Sequence, residues 1–125
     1  MRLLLDTHIY LWAVTDNPKL TIAARKIITE ADEVFVSSAS IWEASVKAGL
    51  GKLDVDVKLL VTEIAASGFK ELPVRAVHAA LVQDLPDIHR DPFDRLLVAQ
   101  ALSEPLRFLT ADGHLAAYTD LVITV

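Results

Sequence analysis

Four acidic residues stand where a predicted strand or loop passes into a helix: Asp6, Glu43, Asp94 and Asp112. Asp6 directly follows the apolar run of residues 3–5. The carboxyl ends of parallel strands share one edge of a sheet, so acids placed in this way are expected to converge there. Carboxylates held together raise each other's pKa unless a cation offsets their charge. The sequence therefore predicts a divalent metal site at this edge.

Each of these acids also has a purely structural explanation. Asp6 and Asp112 are suited to cap the helices that follow them. Glu43 comes three residues after Ser40, which is the spacing of a capping box. Asp94 lies in the first turn of its helix, where a negative charge interacts favourably with the helix dipole. Four such coincidences at one edge are less expected than one shared site, which is the preferred interpretation.

The type of ligand predicts Mg²⁺ or Mn²⁺ as the cofactor, because these ions favour hard oxygen donors. The chain has no cysteine, and none of its four histidines shows a zinc-binding spacing. His8 and His89 flank the acidic segments and are candidates to contact a substrate, with a surface or capping role as the alternative. Lys47 and Lys52 are candidates to hold phosphate groups, with a solvated surface as the alternative. Phosphate-binding glycine loops and the serine nucleophile elbow are missing.

Composition bounds the class of protein. The 125 residues predict a single domain, 1–125, and the apolar share of 53% predicts a doubly covered sheet, an apolar dimer face, or both. The net charge of −5 argues against a protein that simply coats phosphates, and favours a basic partner. No apolar run approaches the roughly 18 residues of a membrane span, and the first apolar run is too short for a signal peptide. We expect a cytoplasmic protein without a membrane segment.

Strands alternate with helices along the whole chain, which predicts a three-layer α/β/α sandwich with a central, mainly parallel sheet. The predicted strands are Arg2–Asp6, Glu33–Ser37, Phe69–Leu72, Leu106–Thr110 and Leu121–Thr124. The predicted helices are Thr7–Val14, one capped by Thr21, one capped by Ser38 or Ser40 and running to Leu50, one from Asp54 or Asp56 to Gly68, Val74–Leu85, one opening at Asp91-Pro92, and a short one near His114–Tyr118. Trp12 and Trp42 lie among apolar neighbours, which favours core or dimer packing over base stacking.

Four segments, in this order, resemble the PIN-domain ribonucleases, and within that group the VapC-type toxins of bacterial type II toxin–antitoxin pairs. They are Asp6-Thr7-His8 with Trp12, Ser38-Ala39-Ser40-Ile41-Trp42-Glu43, His89-Arg90-Asp91-Pro92-Phe93-Asp94-Arg95-Leu96-Leu97, and Leu109-Thr110-Ala111-Asp112. The resemblance covers essentially the whole chain. It implies a PIN-like fold and a metal-dependent endoribonuclease that cuts single-stranded or looped RNA. The motif acids of the family fall on Asp6, Glu43, Asp94 and Asp112.

The same resemblance implies further residues and partners. The family's hydroxyl beside the metal matches Thr7 or Thr110, and Asp91 is an additional acid, with a helix cap as the alternative. A small antitoxin would insert a basic segment into the acidic cleft. Independently of the resemblance, the excess of apolar residues predicts a homodimer, with the faces around Trp12 and Val74–Val82 as candidate surfaces. The alternative function is an interaction module whose acidic cleft binds a basic partner without catalysis. A metal-dependent phosphatase is a third possibility, although the D-x-D pattern expected after the first strand is missing.

Overall fold

A computed structural model describes every residue from Met1 to Val125. Five strands form one sheet in the order β3-β2-β1-β4-β5, and every neighbouring pair is parallel. The strands are β1 (Arg2–Leu5), β2 (Glu33–Ser37), β3 (Lys70–Leu72), β4 (Arg107–Thr110) and β5 (Val122–Thr124). The predicted α/β fold with a parallel central sheet is therefore confirmed.

Helices connect the strands. They are α1 (Thr7–Val14), α2 (Ile22–Glu30), α3 (Ser38–Gly49), α4 (Val57–Ala66), α5 (Ala76–Leu81) and α6 (Pro92–Ser103), with short 3₁₀ segments at Val82–Asp84 and Gly113–Ala117. The bounds of α1 and β2 agree with the sequence prediction, and Asp91 caps α6 with Pro92 in its first turn, as expected. No helix is both long and apolar enough to cross a membrane.

The central strand β1 divides the core into two layers. Side chains along a strand alternate between the two faces of the sheet. Leu3 and Leu5 pack with buried residues of α1, α2 and α4, whereas Leu4 packs with Leu97 of α6 and Phe108 of β4. Because both faces are covered, all three leucines are fully buried.

The reversal of strand order lies at β1, and it positions the site. Leu5 pairs with Val36 on one side and with Leu109 on the other. Asp6 then leaves the sheet between the ends of β2 and β4, and its backbone N–H donates to the Leu109 carbonyl at 2.9 Å. This is the switch point at which parallel α/β sheets open a crevice for ligands.

The predicted caps of α3 were wrong. Ser37, the last residue of β2, caps this helix, and its hydroxyl accepts the Ala39 N–H at 3.0 Å. The prediction of Ser38 or Ser40 failed because no loop separates β2 from α3, so a strand residue also serves as the cap. The capping-box explanation of Glu43 is therefore also excluded. With Ser37 as the cap, the third residue of the helix, where a capping box needs its acid, is Ser40.

Other bounds shift for local reasons. The first strand stops at Leu5 rather than Asp6, because Asp6 adopts the cap conformation of α1. The predicted helix Val74–Leu85 is shorter, with α5 followed by a 3₁₀ turn. Asp56 rather than Asp54 caps α4. Of the two alternatives for the tryptophans, core packing does not hold for Trp42, which is 57% exposed, so dimer packing stays a prediction for it, whereas Trp12 is partly buried against the core.

A candidate metal centre at the carboxyl ends of the strands

Asp6 occupies the centre of the site, where β1 passes into α1, and the residue is only 6% exposed. Its Oδ1 accepts the Thr7 N–H at 2.8 Å, and its Oδ2 accepts the Thr110 hydroxyl at 2.6 Å. Burial raises the pKa of Asp6, against the effect of these two hydrogen bonds, and the charge of Glu43 raises it further. Thr110 in turn accepts the Asp112 N–H at 3.0 Å, which joins the first and last acids of the set.

Glu43 approaches from α3 and is 3% exposed. Its Oε2 accepts a hydrogen bond from the Lys47 ammonium, one helical turn later, at 2.5 Å. Its Oε1 is buried and has no hydrogen-bond partner. A buried carboxylate oxygen without a partner is energetically unfavourable, and a cation is a partner that would satisfy it.

Asp94 lies in the first turn of α6, and its pKa is strongly perturbed. Burial raises the pKa of this carboxyl to about 8, and the negative charges of Asp6, Asp91, Glu43 and Asp112 act in the same direction. Three of these carboxylates come from distant parts of the chain, and the fourth, Asp91, caps the same helix. A divalent cation bound among these carboxylates would offset the repulsion between them.

Asp112 closes the cluster at the start of the last 3₁₀ segment. Its Oδ1 accepts the His114 N–H at 3.0 Å, and its Oδ2 lies 3.3 Å from His89 Nε2. Partial burial acts to raise the pKa of Asp112, but the hydrogen bonds from His114 and His89 hold it below its usual value. Ligand atoms of His89, Asp94 and Asp112 all lie within 4.8 Å of one another.

The remaining residues singled out from the sequence take different places. Asp91 acts as the cap of α6 and accepts the N–H groups of Phe93 at 2.8 Å and Asp94 at 3.2 Å. The Thr7 hydroxyl donates to Ser40 Oγ at 2.9 Å instead of to a carboxylate, so Thr110 is the hydroxyl that contacts the cluster.

Two basic or polar side chains lie closer to the acids than the sequence indicated. Lys47 was one of two candidates to hold phosphate groups, and its ammonium contacts Glu43. That hydrogen bond raises the pKa of Lys47, and the charges of Glu43, Asp91 and Asp94 act in the same direction. His89 was weighed against a surface role, yet its ring faces two of the acids. The sequence signals for His89 were its position beside an acidic segment and its place at the start of a segment that resembles the PIN-domain ribonucleases.

An open pocket of about 300 Å³ adjoins the cluster and is lined by Asp6, His8, Trp12, Ala111 and Asp112. A larger cleft of about 430 Å³ lies at the amino ends of β2 and β3. The charged groups at that cleft pair with each other, as Glu33 does with Lys70 at 2.6 Å and Asp32 does with the terminal amine. The unsatisfied carboxylate oxygen lies at the carboxyl edge, which makes that edge the candidate site.

Known proteins share this architecture. Ribonuclease VapC22 of Mycobacterium tuberculosis is 28% identical over 117 residues, which cover 92% of this chain and 90% of that protein. The structure of VapBC2 from Rickettsia felis, bound to a DNA fragment from its promoter, superposes with a TM-score of 0.72 at 16% identity, over 99% of this chain and 98% of that one. A toxin–antitoxin complex from Klebsiella pneumoniae superposes with a TM-score of 0.65 at 18% identity, over 97% and 95%.

The similarities to the two solved structures, at 16% and 18% identity, concern the fold alone. The PIN domain pattern matches residues 3–121, nearly the entire length of the chain. The match includes all four acids of the cluster, and it includes β2 and β4, the strands on either side of Asp6. This chain belongs to the PIN domain family.

Proposed function

We propose that this protein is a metal-dependent endoribonuclease and the toxin of a type II toxin–antitoxin pair. The observation that carries the proposal is the convergence of four carboxylates at the switch point of the sheet, with one buried oxygen, Glu43 Oε1, lacking any partner. Membership of the PIN family and the likeness to a protein named as a ribonuclease support the same activity.

Asp6, Glu43, Asp94 and Asp112 are proposed to hold Mg²⁺ or Mn²⁺. The set contains only oxygen donors, which is the chemistry these ions favour. The orphaned Glu43 Oε1 and the raised pKa of Asp94 both fit a site built for a cation. When bound, such a cation polarises a phosphodiester and lowers the pKa of a bound water.

The chain's own residues then have separable tasks. The Thr110 hydroxyl fixes the orientation of the Asp6 carboxylate, and the Thr7 N–H holds its other oxygen. Lys47 offsets the charge of Glu43 and, being one third exposed, is also placed to contact an RNA phosphate. Asp91 is proposed to act as a helix cap and not as a ligand, because its Oδ1 already serves two backbone donors.

The proposed protein partner is a small antitoxin with a basic segment. An acidic cleft that must be restrained is best matched by arginine, whose guanidinium can bond two carboxylate oxygens at once. The similar structures from Rickettsia felis and Klebsiella pneumoniae are of proteins described as VapBC2 and as a toxin–antitoxin complex. A homodimer is proposed as well. Of the two expected surfaces, Trp12 packs on the core, whereas Val77 in the Val74–Val82 face is 53% exposed.

The test is RNA cleavage by the purified protein. A mixed pool of labelled RNA is incubated with Mg²⁺ or Mn²⁺, and a parallel reaction contains EDTA. We expect cleavage with either metal, none in EDTA, and none with Asp6→Asn or Asp94→Asn, both of which keep the side-chain shape. Asp91→Asn is the matched control, because asparagine caps a helix nearly as well as aspartate.

Two results would reject the nuclease. One is a folded protein that binds Mg²⁺ or Mn²⁺ and leaves every RNA intact. The other is an Asp94→Asn variant that keeps the parent's cleavage rate. A protein that cuts nothing but binds a basic peptide through the same acids would be an interaction module.

A further inference from the structure

The His89 ring is held in one tautomer by the backbone. The Asp91 N–H donates to His89 Nδ1 at 3.2 Å, so Nδ1 is the acceptor of the ring and Nε2 carries the hydrogen. A histidine that binds a metal through one nitrogen normally donates its other N–H to an acceptor. His89 has a donor in that place, so the geometry does not suit a metal ligand.

The Nε2–H faces the candidate metal centre. It lies 3.3 Å from Asp112 Oδ2 and 3.4 Å from Asp94 Oδ2. The ring is 28% exposed, so a ligand that enters the acidic cluster can reach it. His89 therefore presents a hydrogen-bond donor directly beside two carboxylate acceptors.

The loop that carries His89 is fixed on both sides of the ring. Its backbone N–H donates to the Tyr118 hydroxyl at 2.8 Å, and its carbonyl accepts from Arg95 at 3.3 Å. The same guanidinium also bonds the carbonyls of Pro86 at 3.0 Å and Val82 at 3.1 Å. The donor is thus held in place before any ligand binds, which lowers the entropy that binding must offset.

We propose that His89 is a substrate-binding residue whose Nε2–H donates to a phosphate oxygen of RNA held at the acidic cluster. This inference rests on the proposed nuclease function. A phosphate is repelled by the carboxylates themselves, so the protein needs a donor beside them. A cation bound by Asp94 and Asp112 would satisfy these oxygens, and the Nε2–H would then be free to donate to the phosphate.

The test compares His89→Ala, His89→Gln and the parent protein. Cleavage of a short fluorescein-labelled RNA is measured in Mg²⁺, and binding of the same RNA is measured by anisotropy in Ca²⁺, with gels to verify that the RNA stays intact. Loss of a hydrogen bond to a charged group predicts a drop in kcat/KM of about 10- to 100-fold for His89→Ala, with weaker RNA binding. His89→Gln retains an N–H donor of similar reach and should recover part of both.

Metal binding is measured separately, from the rise in melting temperature with Mg²⁺ and with Mn²⁺. We expect His89→Ala to leave both titrations unchanged. Ile88→Ala is the matched control: the residue is 43% exposed in the same loop, and its loss should alter neither cleavage nor RNA binding.

Three results would overturn the role of His89. The first is a His89→Ala variant that binds and cuts RNA as the parent does. The second is a selective loss of Mn²⁺ binding, which would make His89 a ligand. The third is failure of His89→Gln to recover any binding or cleavage. If the parent binds RNA but cuts none, the nuclease proposal fails, while the anisotropy comparison still decides the role of His89; if the parent binds no RNA, both fail.

Discussion

Asp94→Asn should stabilise the metal-free protein at alkaline pH and leave its stability nearly unchanged in acid. Burial and the surrounding acids raise the pKa of Asp94 from 3.8 to about 8 in the folded state. A carboxyl with a higher pKa in the folded than in the unfolded state binds its proton more tightly when folded. The free energy of unfolding therefore falls as the pH rises between these two values. Below pH 3.8 both states hold the proton, and above about pH 8 the penalty is complete.

The size of the effect follows from the same two values. A difference between 3.8 and about 8 would correspond to about 6 kcal/mol at most, at about 1.36 kcal/mol for each tenfold change. The Asp94 side chain is 17% exposed, so water screens part of this electrostatic energy. We therefore expect a gain of about 1–2 kcal/mol for Asp94→Asn above pH 8, or about 4–8 °C in Tm.

Urea unfolding in EDTA at acidic, neutral and alkaline pH measures this gain for the parent and the variant. Asp120→Asn removes the same charge from an exposed position outside the cluster and should show no gap that grows with pH. A parent protein that is more stable than Asp94→Asn in alkali would contradict this prediction. So would a difference in stability between the two proteins that is the same at every pH.

Three further predictions concern the same cluster. Mg²⁺ or Mn²⁺ should raise the Tm of the parent by mass action and have much less effect on Asp6→Asn; equal shifts in a differential scanning experiment would place the cation elsewhere. Thr110→Val removes the hydroxyl that donates to Asp6 and should lower the free energy of unfolding by about 1–3 kcal/mol and weaken Mg²⁺ binding, whereas Thr110→Ser should restore both in urea melts and calorimetry. Ser37→Ala removes the α3 cap and leaves the buried Gln100 amide oxygen without the hydroxyl that donates to it at 2.5 Å. The free energy of unfolding in urea melts should therefore fall by about 1–3 kcal/mol, and an unchanged midpoint would contradict this expectation.

Local patterns were sufficient to predict the elements and the gathering of the acids. An apolar run that ends in an acid, as at Asp6, fixes a buried strand and its end together. The Asp91-Pro92 pair likewise fixed the start of α6, because a cap and a first-turn proline are local requirements. Parallel topology then places the strand ends on one edge without any knowledge of side-chain contacts.

Long-range contacts were beyond such patterns. The place of His89 depends on Arg95 and Tyr118, which clamp its loop from other parts of the chain. The apolar residues Trp42, Val46 and Leu50 recur at helical spacing, which is equally typical of a core face. The structure instead exposes all three, by 57%, 38% and 64%. Sequence spacing defines a face of a helix, but only packing decides whether that face is covered.

We propose that a divalent cation binds among the four carboxylates. An anomalous difference map from a crystal grown with Mn²⁺ tests it most directly. We expect a peak shared by Asp6, Glu43, Asp94 and Asp112, with Glu43 Oε1 among the ligands and His89 Nε2 outside the coordination shell. A map without a peak among these acids at saturating Mn²⁺, or with its strongest peak elsewhere on the protein, would contradict it.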